Sequence, residues 1–373
     1  MQSEMKFRRF EAEPRYRFQM LNQPKYRYLM HRLNLFIPSP RQFVNFLKVV
    51  SGYVISVFSG RSVIWGYPLV LTVEPTDLCN LRCPLCPSGS PSPARRSGKM
   101  NVSQFGTVLE KMGGRVKFLQ LWNRGEPFLN DDLLEMIFLA KRHGIYVRIS
   151  TNGHLLSQDG ISDRIISSGL DELVVSLDGL DKETYSKYRV GGSLEKVLRG
   201  IDTLVQTKRR KRSSLPLIDL QFIVMKGNED QIHQIPAVAR GLGVDRISVK
   251  TARVGSYKEA GEFLPSRPDH SRYLVESGRL IPKRTRQRCR RLWYSMVVNW
   301  NGDVVPCCFD VEGKYLMGNI FHQSLAEIWK GQRYRSFRDS VLRERDGLAM
   351  CRNCTEGLER LYVFSKWVAS KSG

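Results

Sequence analysis

Acidic residues are scarce in this chain: among 373 residues, 36 Asp and Glu stand against 59 Lys and Arg, a formal net charge of +23. Such an excess predicts attraction to anions, whether a membrane surface, nucleic acid, or a phosphorylated or carboxylated substrate. A secretory signal is lacking, because the first apolar stretch begins late and has no small-residue cleavage site. That stretch, Phe43 to Phe58, is also shorter than the roughly 20 apolar residues a membrane crossing needs. The eight cysteines, at 79, 83, 86, 289, 307, 308, 351 and 354, lack the scattered spacing of a disulfide framework. Their clustering favours metal ligation in a reducing, cytoplasmic compartment. A signature of an RNA-binding module is missing as well. The five basic residues Lys208 to Arg212 and the seven between Arg279 and Arg291 therefore read as solvated faces, and nucleic acid is not an expected partner. A non-catalytic zinc or nucleic-acid-binding protein is the alternative class.

The first cysteine group lacks a fourth member. Cys79, Cys83 and Cys86 are spaced C-x3-C-x2-C, and the next cysteine is Cys289. A structural zinc site closes with four ligands, and ferredoxin-type clusters also use four thiolates. Three thiolates on a [4Fe-4S] cluster leave one iron open to bind something else. On spacing alone, a zinc knuckle or a set of unrelated buried thiols is the alternative.

From Leu69 onward, strand and helix patterns alternate. Strands are expected at 69–74, 117–122, 146–150, 172–177, 217–225 and 246–250, with helices between them. One of these helices has Ser103 as its N-cap, and another ends at Gly144. Repeated strand–helix units imply a parallel sheet. In barrels of this kind the chemistry sits at the C-terminal ends of the strands. Each conspicuous motif lies there: the cysteine loop, Gly125-Glu126-Pro127, Thr151-Asn152-Gly153, and Ser176-Leu177-Asp178-Gly179.

On these residues the chain resembles the radical S-adenosylmethionine (radical SAM) family over about 69–253. The resemblance implies a [4Fe-4S] cluster on Cys79, Cys83 and Cys86, with SAM chelated to the open iron through its amino and carboxylate groups. One electron then cleaves SAM to methionine and a 5′-deoxyadenosyl radical. The resemblance also implies that Gly125, Glu126 and Pro127 contact the SAM amino group and that Ser150 and Asn152 lie near its ribose. Ser176 and Arg189 would hold its carboxylate, with Asp178 in the same cofactor site. The residue types suit these roles: an ammonium wants acceptors, and a carboxylate wants a hydroxyl donor and a guanidinium fork. Two positions depart from the family pattern. Arg124 replaces the first glycine of the GGEP motif, and Leu85 stands where many members carry an aromatic residue.

Beyond a proline-punctuated stretch read as a linker, residues 296–300 and 303–306 flank Asn301-Gly302, a favourable hairpin turn. A helix follows at 324–329. With Cys289 before the hairpin and Cys351 and Cys354 late, this resembles the auxiliary-cluster extension of the SPASM and twitch families. The resemblance implies a second [4Fe-4S] cluster on Cys289, Cys307, Cys351 and Cys354. Cys308 is surplus and is the alternative to Cys307, and a four-cysteine zinc site is the alternative to the cluster. The fold expected is α/β: a partial (β/α)6 TIM-like barrel at 69–255, a linker at 256–284, a small auxiliary-cluster domain at 285–373 and a basic helical extension at 1–68.

That extension carries eleven Lys or Arg against three Glu over residues 1–61, interleaved with Phe7, Phe10, Tyr16, Phe18, Tyr26 and Tyr28. Its helical apolar spacing at 43–58 has two readings. The helix lies on an anionic membrane surface, which would place the chain peripherally on the inner membrane face, or it packs on the main domain. As function, the resemblance implies hydrogen abstraction from an unactivated C–H bond, in alcohol oxidation or in cross-linking of a peptide or metabolite. RNA- or lipid-directed modification is the alternative. An anionic or peptide substrate and a reductant such as flavodoxin or ferredoxin are the expected partners. Glu74 is a candidate base, equally placed to anchor the cysteine loop.

Overall fold

A computed structural model describes residues 39–89, 97–285, 288–354, 356–358 and 360–368. The aromatic and basic residues noted between 7 and 28 lie outside them. Helix α1 (Pro40–Ser59) precedes six strand–helix units. The strands are β1 (Val70–Val73), β2 (Phe118–Gln120), β3 (Tyr146–Thr151), β4 (Glu172–Ser176), β5 (Leu217–Val224) and β6 (Arg246–Thr251). They pair side by side in chain order, all parallel. The connecting helices include α2 (Val102–Met112), α3 (Leu133–Arg142), α4 (Ile161–Ser167), α5 (Lys182–Tyr188), α6 (Leu194–Arg210) and α7 (Ile235–Leu242). The cap of helix α2 lies two residues earlier than its sequence suggests. Asn101, not Ser103, caps it, accepting from Gln104 N at 2.8 Å while Gln104 Oε1 accepts from Asn101 N at 2.9 Å.

The strands are two-faced. Leu71, Val73, Leu119, Val147, Ile149, Leu173, Val175, Leu220 and Val249 point outward into a core shared with the helices. The intervening residues are mostly polar and line the inside of the barrel. Thr72 Oγ1 donates to Gln120 at 3.1 Å. Deeper in, Arg148 lies 3.0 Å from Glu172, Arg246 pairs with Glu172 and lies 2.6 Å from Asp219, and Tyr146 OH donates to Glu172 at 3.0 Å. Charges withdrawn from water must pair in this way, so the barrel has an ionic floor beneath its rim.

Neither outer strand of the barrel is a bare edge. Past α9 (Arg291–Tyr294), strand β9 (Ser295–Val298) runs parallel to β1, and β10 (Asp303–Val305) returns antiparallel through Asn301-Gly302. Gly302 sits at φ +84°, as the expected hairpin turn requires. Strand β11 (Gly318–Asn319) follows β10, while at the far side β12 (Tyr362–Trp367) caps β6 antiparallel. Helices α10 (Leu325–Trp329), α11 (Gln332–Glu344) and α12 (Ala349–Arg352) fill the space between. Arg338 of α11 is fully buried between the Trp329 and Tyr334 rings and donates to the Leu292 and Trp329 carbonyls at 2.9 and 2.7 Å.

The stretch read as a linker is folded. It contains α8 (Tyr257–Phe263) and an antiparallel hairpin of β7 (Tyr273–Glu276) and β8 (Arg279–Pro282). Ser277 and Gly278 both have positive φ, the mark of a type I′ turn. Val254, Ala260, Leu264 and Tyr273 form a small core there. The prolines punctuate the ends of these pieces and leave their interiors regular.

Helix α1 is also longer than its apolar spacing suggests. Ser39 caps it in a box with Gln42, and Pro40 starts it, giving 20 residues. By length and composition it is apolar enough to cross a membrane, which corrects the expectation that it is too short. It is nonetheless docked on the body by one face.

Candidate active site

The loop after β1 carries the three early cysteines and is seated from two sides. On one, the position of Gly125 requires glycine, since its φ is +72° and a Cβ there would meet the Thr76 and Leu78 carbonyl oxygens at 2.4 and 2.7 Å. Glu126 N donates to Leu78 O at 2.7 Å, and Gly125 N to Ser88 Oγ at 2.8 Å. On the other, Arg82 N donates to Val190 O at 3.0 Å and Asn152 Nδ2 to Asn80 Oδ1 at 2.7 Å. Cys79, Cys83 and Cys86 thereby share one small apolar cluster with Leu81, Tyr188, Met225 and Ala252. Burial, reinforced by the neighbouring thiols and Asp178, pushes the Cys83 thiol up to about 11 despite the nearby Arg189.

Glu126 is buried, and its carboxylate is held within the protein. Oε1 accepts from Thr151 Oγ1 at 2.8 Å and Phe128 N at 3.2 Å, and Oε2 from Asn152 N at 2.7 Å. Burial pushes its carboxyl up, and these donors offset only part of that. Glu126 thus ties the end of β2 to the end of β3, where Ser150 is half-buried. Asn152 is fixed in turn by His154, which the motif reading did not single out. Ser193 N donates to His154 Nε2 at 2.6 Å, so the ring proton lies on Nδ1 and reaches Asn152 Oδ1 at 3.1 Å. Burial holds this imidazole below its ordinary range. Its one sequence signal is that it follows Thr151-Asn152-Gly153 directly.

At the end of β4, two residues past the buried Ser176, Asp178 is fully buried. Oδ1 accepts from Ile223 N at 2.7 Å, and Oδ2 accepts from Arg189 Nε at 2.7 Å and also from Nη2. Arg189 Nη1 is left 3.9 Å from Cys83 Sγ. Burial works against the guanidinium charge, but Asp178 and then Cys83 outweigh it and hold Arg189 above the arginine range. Asp178 therefore positions Arg189, and Arg189 faces the thiols. Glu74 is buried at the end of β1, with Asn123 Nδ2 at 3.3 Å. Arg124 spans outward, donating to Pro87 O of the cysteine loop at 2.8 Å and to Val311 O of the C-terminal module at 2.9 Å.

The late cysteines form a second group. Cys289, Cys351 and Cys354 lie close together, and burial, reinforced by the neighbouring thiols, pushes Cys289 up to about 11 and Cys351 up to about 12. Cys307 and Cys308 share a hydrogen bond that raises the first thiol and lowers the second. Tyr334 lies near both Cys307 and Cys289, and Arg291 lies near both Cys307 and Cys308, with Arg253 also near Cys308. One backbone feature recurs across both groups: the amide two residues on donates to Sγ at Cys79 (3.5 Å), Cys307 (3.3 Å) and Cys354 (3.3 Å). Such bonds favour an anionic sulfur. Among the described residues, no three Cys, His, Asp or Glu side chains close to the spacing of a single coordinated ion.

An incomplete thiol triad on the rim of a parallel barrel, with a second thiol group beside it, matches two family models. Residues 73–219 match the radical SAM superfamily, and residues 289–355 match SPASM, an iron–sulfur cluster-binding domain. The chain belongs to the radical SAM superfamily and carries a SPASM-type domain, so SAM and iron–sulfur are its cofactors. The all-thiol donor sets, with amides aimed at sulfur, suit iron–sulfur ligation. Among curated relatives, the PqqA peptide cyclase of Gluconobacter oxydans is 28% identical, over 70% of this chain and 76% of its own length. A tungsten-containing aldehyde ferredoxin oxidoreductase cofactor-modifying protein of Pyrococcus furiosus is 24% identical over 72% and 82%. Mycofactocin maturase MftC of Mycolicibacterium smegmatis is 23% identical over 77% and 75%. Two solved structures share the fold. Streptococcus suis SuiB has a TM-score of 0.56 at 16% identity, covering 88% of this chain and 79% of that one. anSMEcpe with AdoMet and the Kp18Cys peptide also has a TM-score of 0.56, at 18% identity over 79% and 93%.

Proposed function

We propose that this protein is a radical SAM oxidoreductase that modifies a peptide at an unactivated C–H bond. Cys79, Cys83 and Cys86 would hold the SAM-binding cluster, and Cys289, Cys307, Cys351 and Cys354 the auxiliary one. When bound, these groups supply a 5′-deoxyadenosyl radical and an electron acceptor. The chain supplies orientation. Arg189, locked by Asp178, offers a nitrogen at the thiol site for a carboxylate, and Ser176 adds a hydroxyl. Glu126, Asn152 and His154 fix the strand ends around them. Within the barrel, Lys250 lies above the ionic floor, 5.3 Å from the Tyr362 ring, and would receive an anionic group of the substrate.

The observation that carries the peptide reading is the span of similarity to the PqqA peptide cyclase, which covers 70% of this chain. The fold shared with SuiB, a protein solved with its precursor peptide SuiA, is consistent with it. The test is isotopic. The anaerobically reconstituted protein, with SAM and a reductant, is offered a deuterated peptide fraction or a deuterated small-metabolite fraction of its host. Deuterium should enter 5′-deoxyadenosine from the peptides. Transfer from the metabolites alone would overturn the peptide reading.

A further inference from the structure

Helix α1 is amphipathic in the opposite sense to a core helix. Its docked stripe is Asn45, Val49, Gly52 and Ser56, all buried. Asn45 exchanges two hydrogen bonds with the Tyr67 backbone, at 2.9 and 3.1 Å. Ser56 Oγ accepts from Val63 N at 2.8 Å and from Trp293 Nε1 at 3.1 Å. At Gly52 a Cβ would lie 2.8 Å from Val63 O. At 100° per residue, Phe43, Leu47, Val50, Val54 and Phe58 fall on the diametrically opposite face. All five are exposed, Phe58 to 86%, and Trp65, also exposed, lines a groove with Val44 and Lys48 at the side of the helix. A contiguous apolar face of this kind marks an interaction site.

Charge indicates what covers it. Residues 14–73 contain no Asp or Glu, yet eight Lys or Arg. Beside α1, Arg41, Lys48 and Arg115 line a groove of about 380 Å³ together with Trp65 and Tyr67, and among the described residues no acidic one lines it. Apolar insertion flanked by unopposed cations, with a tryptophan at the rim, fits a bilayer of anionic lipids, whose headgroup phosphates the groove would take. We propose that α1 lies flat in the surface of an anionic membrane, apolar face down, and holds the protein there peripherally. It does not cross, because crossing would strip Asn45 and Ser56 of their partners on the body and bury them in hydrocarbon. This inference is independent of the substrate reading, since it uses no residue of the barrel rim.

The test is flotation of the full, reconstituted chain with vesicles of equimolar phosphatidylglycerol and phosphatidylcholine, or of phosphatidylcholine alone. One variant carries Leu47→Ser, Val54→Ser and Phe58→Ser, and another Arg41→Gln, Lys48→Gln and Arg61→Gln. These positions are exposed, so both variants should keep wild-type helicity and uncoupled SAM cleavage in solution. The wild type should float with the anionic vesicles, and each variant should bind them about tenfold more weakly or less. Equal binding to neutral vesicles, or unchanged binding by the variants, overturns the proposal. So does a dimer-to-monomer change in the apolar variant without vesicle binding, which assigns the face to a second copy. Flotation seen only after residues 1–38 are removed would assign it to the chain's own N-terminal segment.

Discussion

Single residues do most of the work at the thiol site through buried charge. Asp178 and Arg189 pair out of solvent, and deleting one partner leaves the other unpaired. Asp178→Ala should therefore cost about 3–5 kcal/mol, read from urea unfolding; a loss within the range of ordinary surface substitutions would show that Arg189 finds another partner. Lys250 makes a second test. Burial, helped by Arg148, pulls its ammonium down to about 8 from an ordinary 10.5. Between those values the unfolded chain binds a proton that the folded chain has shed, so stability rises with pH across the window. Lys250→Met removes that rise, and the wild type should gain on the variant between about pH 8 and about pH 10. Parallel curves would place the lysine in solvent. The cysteines could be read from sequence because their chemistry is local. The bridging roles of Arg124, visible only as a departure from its motif, and of His154 could not, since their partners Val311 and Ser193 lie 187 and 39 residues away.

Elements show the same division between local and distant causes. The six barrel strands were legible because each is short, branched-residue-rich and followed by a helix pattern. What each pattern could not reveal is pairing across the chain, such as β9 on β1 and β12 on β6. The 256–284 segment was misread because its prolines outweighed the Ser277-Gly278 turn. Two tests belong to elements. In α1, Gly52→Ala gains about 1 kcal/mol of helix propensity, but its Cβ would press on a backbone carbonyl, and overpacking costs about 1–3 kcal/mol. The melting point should fall; a rise would mean that the helix is not docked as described. Deleting 361–373 removes β12 and bares the edge of β6, and an unpaired edge templates association. The truncated chain should form oligomers or aggregates on size exclusion, and a stable monomer would show that β12 is dispensable cover.

Taken whole, the molecule holds two thiol sites on one continuous sheet, and the question is whether they are independent. The rim site is seated by Gly125, Glu126, Asn152, Asp178 and Arg189, all from the barrel. The second site draws its thiols from residues after β8, with Arg253, just past the end of β6, near Cys308. Several contacts link the two, among them Arg124 on Val311 O, Asn353 Nδ2 on Val254 O, the Arg253 guanidinium 4.1 Å from the Phe309 ring, the Glu74 amide on Val298 O, and the β1–β9 pairing. Two [4Fe-4S] groups require about eight irons per chain. Cys351→Ala with Cys354→Ala should remove about four of them. SAM cleavage without substrate should survive, because α12 contributes nothing to the rim, while turnover of the true substrate should fail for want of an electron acceptor. Cys351 also packs in the main core, and metal sites add folding free energy, so circular dichroism must first show that the variant keeps wild-type secondary structure. Four irons and one zinc in the intact, anaerobically reconstituted chain would reject the second cluster.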